Sequence, residues 1–261
     1  MILAEFQVLD FALIGLITTL AGMGQAAVGF GYALFATPLL LYIGVPLPYS
    51  IILISTCSLY QSLIGSWKLR EHIPWKITFW ALPVRFATML IGLYMLEKLV
   101  TFPVEQIRSA IGLVICCLVL LQILYKPRPA ESIHWFWGVI SFSGSGIVAG
   151  LAGMGGPPIV LWVLAHNWNS KKMRGFLFSI FATSIPLQMI VMGFQFEEIV
   201  SEALGMSVFC IPFVILGTAL GIPIGNRMEK EKLKIWAYGI LVIIGLGSMF
   251  PMLKNFFSSL F

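Results

Sequence analysis

Residues 150–162 read GLAGMGGPPIVLW, and part of this stretch, Leu151-Ala152-Gly153-Met154-Gly155, has already occurred as Leu20-Ala21-Gly22-Met23-Gly24. In a chain rich in Leu and Gly, a five-residue identity carries weight only if further matches follow at a steady offset. Thr56 and Gln61 stand opposite Thr183 and Gln188, and Pro83 and Gly92 opposite Pro212 and Gly221, so the offset runs 131, 127, 129. The chain therefore reads as two copies of one unit, residues 1–126 and 127–261.

Composition sets the medium in which the two units fold. Of 261 residues 59% are hydrophobic and 10% charged, against about 25% charged in soluble domains. Such a chain could not cover its surface in water. The 16 Lys and Arg exceed the 11 Asp and Glu, but they fall in short clusters between apolar runs, the pattern of membrane loops rather than of a nucleic-acid surface. Residues 1–10 have no basic region and carry Glu5 and Asp10, so a cleaved signal peptide is not expected. Cys57, Cys116, Cys117 and Cys210 lie in apolar runs without metal-ligand spacing, and neither a metal nor a cofactor is expected.

Each half holds one long apolar segment interrupted at LAGMG, residues 8–45 and 135–167, and then three ordinary spans. These are 50–67, 77–96 and 107–124 in the first half and 175–194, 203–225 and 235–253 in the second. The interrupted segments are too long for one crossing of a roughly 30 Å core. Each must be a pair of short helices or a re-entrant hairpin. The basic clusters at 68–76, 126–128, 171–174 and 227–234 can all be cytoplasmic only if residues 135–167 enter and leave on one side. Both termini then lie outside. Each half makes an odd number of crossings, and the halves are inverted relative to each other. The expected fold is all-α and polytopic, two inverted repeats with 8–10 membrane segments in a cell or inner membrane. An eight-span bundle of parallel repeats would put two basic loops outside.

Glycines in a membrane helix ordinarily mark close packing. The LAGMG sites ask for more, since Gly156-Pro157-Pro158 follows the second copy and proline suits the first positions of a helix. A half-helix of about ten residues, near 15 Å, would start there. Its N-terminus would present N–H groups and a positive dipole end to a buried anion. Unwound backbone at that depth is tolerated only inside protein or along a cavity.

This duplicated break, with the layout around it, resembles the TauE/SafE sulfite exporter family, the 4-toluene sulfonate uptake permeases, over nearly the whole chain. The resemblance implies a transporter of sulfur-containing anions such as sulfite or organosulfonates. The first copy departs from the pattern, with Gln25-Ala26-Ala27 where the second has Gly156-Pro157-Pro158.

The candidate substrate site therefore comprises Gly22, Met23, Gly24 and Gln25, and Gly153, Met154, Gly155 and Gly156. Arg85 joins them as the one basic residue deep inside a span, about nine residues and roughly 14 Å beyond Lys76, too deep to snorkel readily. Its repeat counterpart is Val214. Anion contact or gating stands beside structural pairing with a carbonyl or carboxylate. Thr56, Gln61, Thr183 and Gln188 recur in both halves, with helix–helix hydrogen bonding as the equal alternative. His166 is read as interfacial rather than as a proton relay.

The sequence thus describes a secondary carrier for a small anion, with a proton or sodium ion open as coupling partner, the bilayer as its medium, a homo-oligomer left open and no nucleic acid. With no Gly-Lys dipeptide there is no P-loop to hydrolyse ATP. An anion channel on the same scaffold is the first rival. An intramembrane enzyme is the second, and it lacks a nucleophile–base pair or an HExxH motif.

Overall fold

The computed structural model describes residues 8–124, 130–131 and 133–227, with isolated residues 239, 242–243 and 245–247 beyond them. Nine α-helices account for nearly all of this: α1 Val8–Val28, α2 Tyr32–Tyr42, α3 Leu47–Lys68, α4 Trp75–Leu99, α5 Val104–Leu124, α6 Trp135–Ala152, α7 Gly156–Leu164, α8 Ser170–Gln195 and α9 Glu197–Arg227. All but α2 and α7 are long and apolar enough to cross a membrane, so the protein is an all-α, multi-pass membrane protein. The span expected at 235–253 lies almost wholly outside the described residues.

Local chemistry sets the helix ends. At the end of α2, Gly44 adopts φ 92°, and the N–H groups of Gly44 and Val45 reach back to the carbonyls of Leu41 and Leu40. This is the left-handed glycine stop. The same carbonyl end receives Arg108 from α5, whose Nε donates to Leu41 O at 2.9 Å. The Asn169 side chain caps α8 by accepting the Lys172 N–H at 2.9 Å. Neither interrupted segment is a pair of short helices: α1 and α6 are long, and each is followed by a half-length helix, α2 of 11 residues and α7 of 9.

Contacts between helices fix their directions. Thr78 meets Ser179 and Arg85 meets Ser184, so α4 runs parallel to α8. Thr56 meets Met189 while Gly65 lies against Phe178, so α3 runs antiparallel to α8. Tyr49 reaches Glu202 and Gln61 reaches Thr218, so α3 is parallel to α9. It follows that α4 and α9, equivalent members of the two repeats, point in opposite directions. The repeats are inverted. Each repeat lends its first helix to the other, α1 packing along α9 and α6 along α4. The paired helices α3 and α8 form the interior, with 72% and 61% of their apolar windows buried against 33% for α4 and α9.

The close helix contacts rest on glycine, and they correct the repeat register. A Cβ on Gly92 would overlap the Ile147 carbonyl, and one on Gly221 the Met23 carbonyl. Likewise Gly146 abuts the Arg85 carbonyl and Gly22 approaches the Val214 carbonyl. With Gly92 equivalent to Gly221 and Arg85 to Val214, Met23 corresponds to Ile147 and Gly22 to Gly146, an offset of 124 rather than 131. The two LAGMG copies are therefore seven residues out of register, about two helical turns. In the first half Leu20 to Gly24 is continuous helix within α1, and the break falls at Gly29-Phe30-Gly31. Gly29 and Gly31 have φ of 96° and 106°, matched by 73° at Gly153. Glycine in the LAGMG of α1 serves close packing, whereas the second LAGMG does interrupt the helix, with α7 starting at Gly156 rather than at the prolines.

Candidate functional site

The two breaks meet. A Cβ on Gly156 would lie 3.7 Å from Phe30 Cβ, and Thr37 of α2 donates to the Ala152 carbonyl at the end of α6, at 3.4 Å. Between them lies a cavity of about 40 Å³, room for a few waters or one compact anion. Its wall combines both half-helix starts, Gly31 to Leu34 and Gly153, Met154, Gly156 and Pro157, with Gln25 of α1 and Ser55 and Ser58 of α3. Ile54 of α3, Arg85 of α4 and Phe181, Ile185 and Gln188 of α8 complete it.

The starts of the two half-helices differ as donors. In α2 the N–H groups of Tyr32, Ala33 and Leu34 precede the first internal helix bonds and find no acceptor among the described residues. In α7 the second and third positions are Pro157 and Pro158, which have no N–H. Of its first three positions only Gly156 keeps an N–H. The donor-rich N-terminus read from the second half therefore belongs to the first.

Arg85 stands beside the donor-poor end. It is 3% exposed. Its Nε donates to Ser145 Oγ at 3.0 Å, its Nη1 donates to Ser184 Oγ, and its plane lies over the Phe181 ring at 5.6 Å. Ser145 in turn donates to the Gly155 carbonyl at 2.5 Å, tying the guanidinium's support to the break itself. A Cβ on Gly155 would stand 2.7 Å from Arg85 Nη2, so glycine is required for the guanidinium to lie there. No carboxylate among the described residues pairs with Arg85. A buried cation held by two hydroxyls is left with N–H donors to spare and its charge unneutralised. Of the two readings of Arg85, structural pairing with a carbonyl or carboxylate finds neither partner among the described residues, where two serine hydroxyls take that place.

The remaining candidates separate cleanly. Gln25 faces the cavity and forms a long reciprocal pair with Ser58, at 3.3 and 3.4 Å. Gln188 lines the cavity and anchors α8 by donating to the Ala149 carbonyl at 3.1 Å. Gln61 stays away from it, donating to the Gly22 carbonyl at 3.2 Å and to Thr218 at 2.9 Å. Thr56 and Thr183 bond the carbonyls four residues behind them, at 2.8 and 2.7 Å, and neither reaches the cavity. Gly22, Met23 and Gly24 lie in α1 outside it. Sequence reasoning missed Ser58, Ser145 and Ser184, because serine is too common in membrane helices to signal a role alone. It also missed Gly29 and Gly31, for which the G-x-G spacing shared with Gly153 and Gly155 was the available signal.

A second, larger cavity of about 600 Å³ opens beside Lys68 and Arg174 and is bounded at its inner end by Ala26, Gln61 and Thr218. Ala26 and Gln61 of this cavity stand one residue and three residues along the chain from Gln25 and Ser58 of the central one. His166, by contrast, is packed between Trp162 and Trp168, with ring centroids 4.1 and 4.7 Å away. Burial holds its imidazole below the usual histidine value, against a smaller opposing pull from the Trp162 carbonyl. His166 lines neither cavity.

The family profile described as Sulfite exporter TauE/SafE matches residues 14–248 of the chain. A curated protein of Cupriavidus necator named "Probable sulfite/organosulfonate exporter TauE" is 23% identical over 230 residues, covering 87% of this chain and 89% of the relative. No solved structure matches the chain.

Proposed function

Because the chain belongs to the sulfite exporter TauE/SafE family, we propose that it is a secondary carrier of a small sulfur-containing anion, bound between the two breaks against Arg85. The observation that carries this reading is the buried, carboxylate-free guanidinium at the junction of α4, α6 and α8. Leaving a charge unpaired in a dry interior costs several kcal/mol. A bound anion offsets that cost. The N–H groups at the start of α2 face the same cavity and add directed donors and the positive end of a helix dipole.

Sulfite or a sulfonate headgroup fits this donor set, because three oxygens on one sulfur can be shared among the guanidinium, the α2 amides and Ser58. Transport proceeds by rocking one repeat against the other around the paired breaks. A central cavity of about 40 Å³ beside a cavity of about 600 Å³ suits a carrier that holds one small anion at a time. The larger cavity opens among basic loops and so faces the cytoplasm, with both termini outside and the protein in the cell membrane. The driving force is the substrate gradient or a coupled proton or sodium gradient.

The direct test is purified protein in detergent and in liposomes. Sulfite or methanesulfonate raises the melting temperature of the wild type in proportion to occupancy, and the liposomes show saturable exchange. Arg85→Ala loses both. Equal thermal shifts in the two proteins would remove Arg85 from the site, and unitary currents without counterflow would turn the carrier into a channel.

A further inference from the structure

We infer that the central site selects its guest by charge and accepts a monoanion, a sulfonate or the hydrogen form of sulfite, while rejecting dianions such as sulfate and fully ionised sulfite. The inference rests on the placement of the substrate against Arg85 proposed above.

Charge matching is the first argument. Among the described residues that line the cavity Arg85 is the only charged one, and no described lysine, histidine or carboxylate joins it. One guanidinium and one single negative charge make a neutral pair. A dianion would leave one negative charge uncompensated in a wall otherwise built of apolar side chains, hydroxyls and amides, where an unpaired charge is strongly disfavoured.

The prolines of α7 sharpen this. A site that neutralises a dianion without a second cation needs many convergent N–H donors, and helix N-termini are the usual source. Here one of the two converging N-termini has Pro157 and Pro158 at its second and third positions and lacks those donors. The Ser145 hydroxyl nearby is also committed, donating to the Gly155 carbonyl while accepting from Arg85. The wall also holds Ser58 and Gln25: the hydroxyl can turn to donate to an oxygen of either monoanion, and the amide oxygen can accept the proton of hydrogen sulfite.

The selectivity has a pH signature that comes from the ligand. Sulfite takes up its proton near neutral pH, whereas a sulfonate stays singly charged throughout. The protein adds no competing titration. The helices packed around Arg85 contribute Ser145 from α6, Ser184 and Phe181 from α8 and Gly155 from the second break, none of them titratable. The other titratable group among the described residues of the cavity wall is the phenol of Tyr32, whose hydroxyl donates to the Thr18 carbonyl at 3.3 Å; phenols ordinarily stay protonated over this range.

The test is equilibrium binding to the purified full-length protein, by thermal shift and calorimetry, with methanesulfonate, sulfite and sulfate between about pH 6 and about pH 8. Methanesulfonate affinity stays level. The apparent Kd for total sulfite weakens by about tenfold for each pH unit on the alkaline side of its own second ionisation. Sulfate binds at least about tenfold more weakly than methanesulfonate. Sulfate equal to methanesulfonate, or sulfite affinity level or rising with pH, would overturn the charge selection while leaving Arg85 as the anion ligand. Undiminished binding of all three to Arg85→Lys and Arg85→Gln would instead remove the site itself, and the inference with it. The lysine variant keeps the charge where the glutamine variant is misfolded, so one of the two always reports.

Discussion

The two breaks occupy equivalent places in the two repeats yet meet the cavity with different chemistry. The first presents backbone N–H groups at Tyr32, Ala33 and Leu34; the second gives up two of its own to Pro157 and Pro158 and has a guanidinium laid against it. The surroundings diverge in step. Arg85, Ser145 and Ser184 around the second break correspond to Val214, Ala21 and Cys57 around the first, three buried apolar or weakly polar side chains. Inverted duplication has preserved the helix packing, which needs only small residues at the crossings. The polar interior differs between the halves, as the proposed site would require: one fixed cation suffices for one anion, and a second would leave an unpaired charge.

The largest effect is expected where the halves differ most. Arg85→Ala lowers anion affinity by about 100-fold, since charge-assisted bonds contribute about 1.5–3 kcal/mol each and about 1.4 kcal/mol is a factor of ten. The ligand-free melting temperature does not fall, because an unneutralised buried charge has been removed. Val214→Ala, at the equivalent position, does the reverse. It loses about 1 kcal/mol of stability to a small cavity and leaves affinity within about twofold. Calorimetry beside thermal melts reads both quantities, and an affinity loss at Val214 near that of Arg85→Ala would make the site two-fold rather than one-sided.

Packing is where the halves agree. Gly92→Ala and Gly221→Ala each push a methyl group into a backbone carbonyl that cannot rotate away, so each should cost about 1–3 kcal/mol with similar losses of melting temperature. Gly15→Ala meets only the Phe213 ring, which can turn, and costs less. A large loss at Gly92 with none at Gly221 would break the two-fold packing.

Gln61 and Gln188 test both halves of the comparison. Each amide donates to a backbone carbonyl of the first helix of its own repeat, so either Leu substitution should lower stability by about 1 kcal/mol. Only Gln188 also lines the cavity, and only Gln188→Leu should weaken anion binding, by several-fold. Comparable affinity losses in both variants would place Gln61 on the anion's path as well.

The spans were legible because apolar runs of membrane length end at charges, and the observed α3, α4, α5 and α8 lie within a few residues of their expected bounds. Inversion was legible from the basic loops. The repeat register was not, because identity of letters rewarded LAGMG against LAGMG, while structure equates residues by which carbonyl they touch. Glycines at positions 22 and 24 serve a continuous helix at a close crossing; those at 29 and 31 have positive φ and interrupt one. Nothing in the residue type separates the two uses. Arg85 was legible as a lone charge in an apolar span, but its hydroxyl partners came from two other helices that no sequence spacing connects to it.

The smallest expected effect probes the prolines. Pro157→Ala restores an N–H at the second position of α7, on the cavity wall, where the first break already has one. If donor supply limits the second half-site, anion affinity tightens by about two- to tenfold, the equivalent of one added hydrogen bond. The variant also gains freedom in the unfolded chain and should melt lower without ligand, by about 0.4–1 kcal/mol. A lower starting point with a larger ligand-induced rise is a combination that simple destabilisation does not produce. In the Arg85→Ala background the same change should recover only a small part of the lost affinity, because a neutral amide replaces direction but not charge. Unchanged affinity in both backgrounds would show that Arg85 and the α2 amides already satisfy the anion. The difference between the breaks would then reside in the cation, and the prolines would serve to fix where α7 begins.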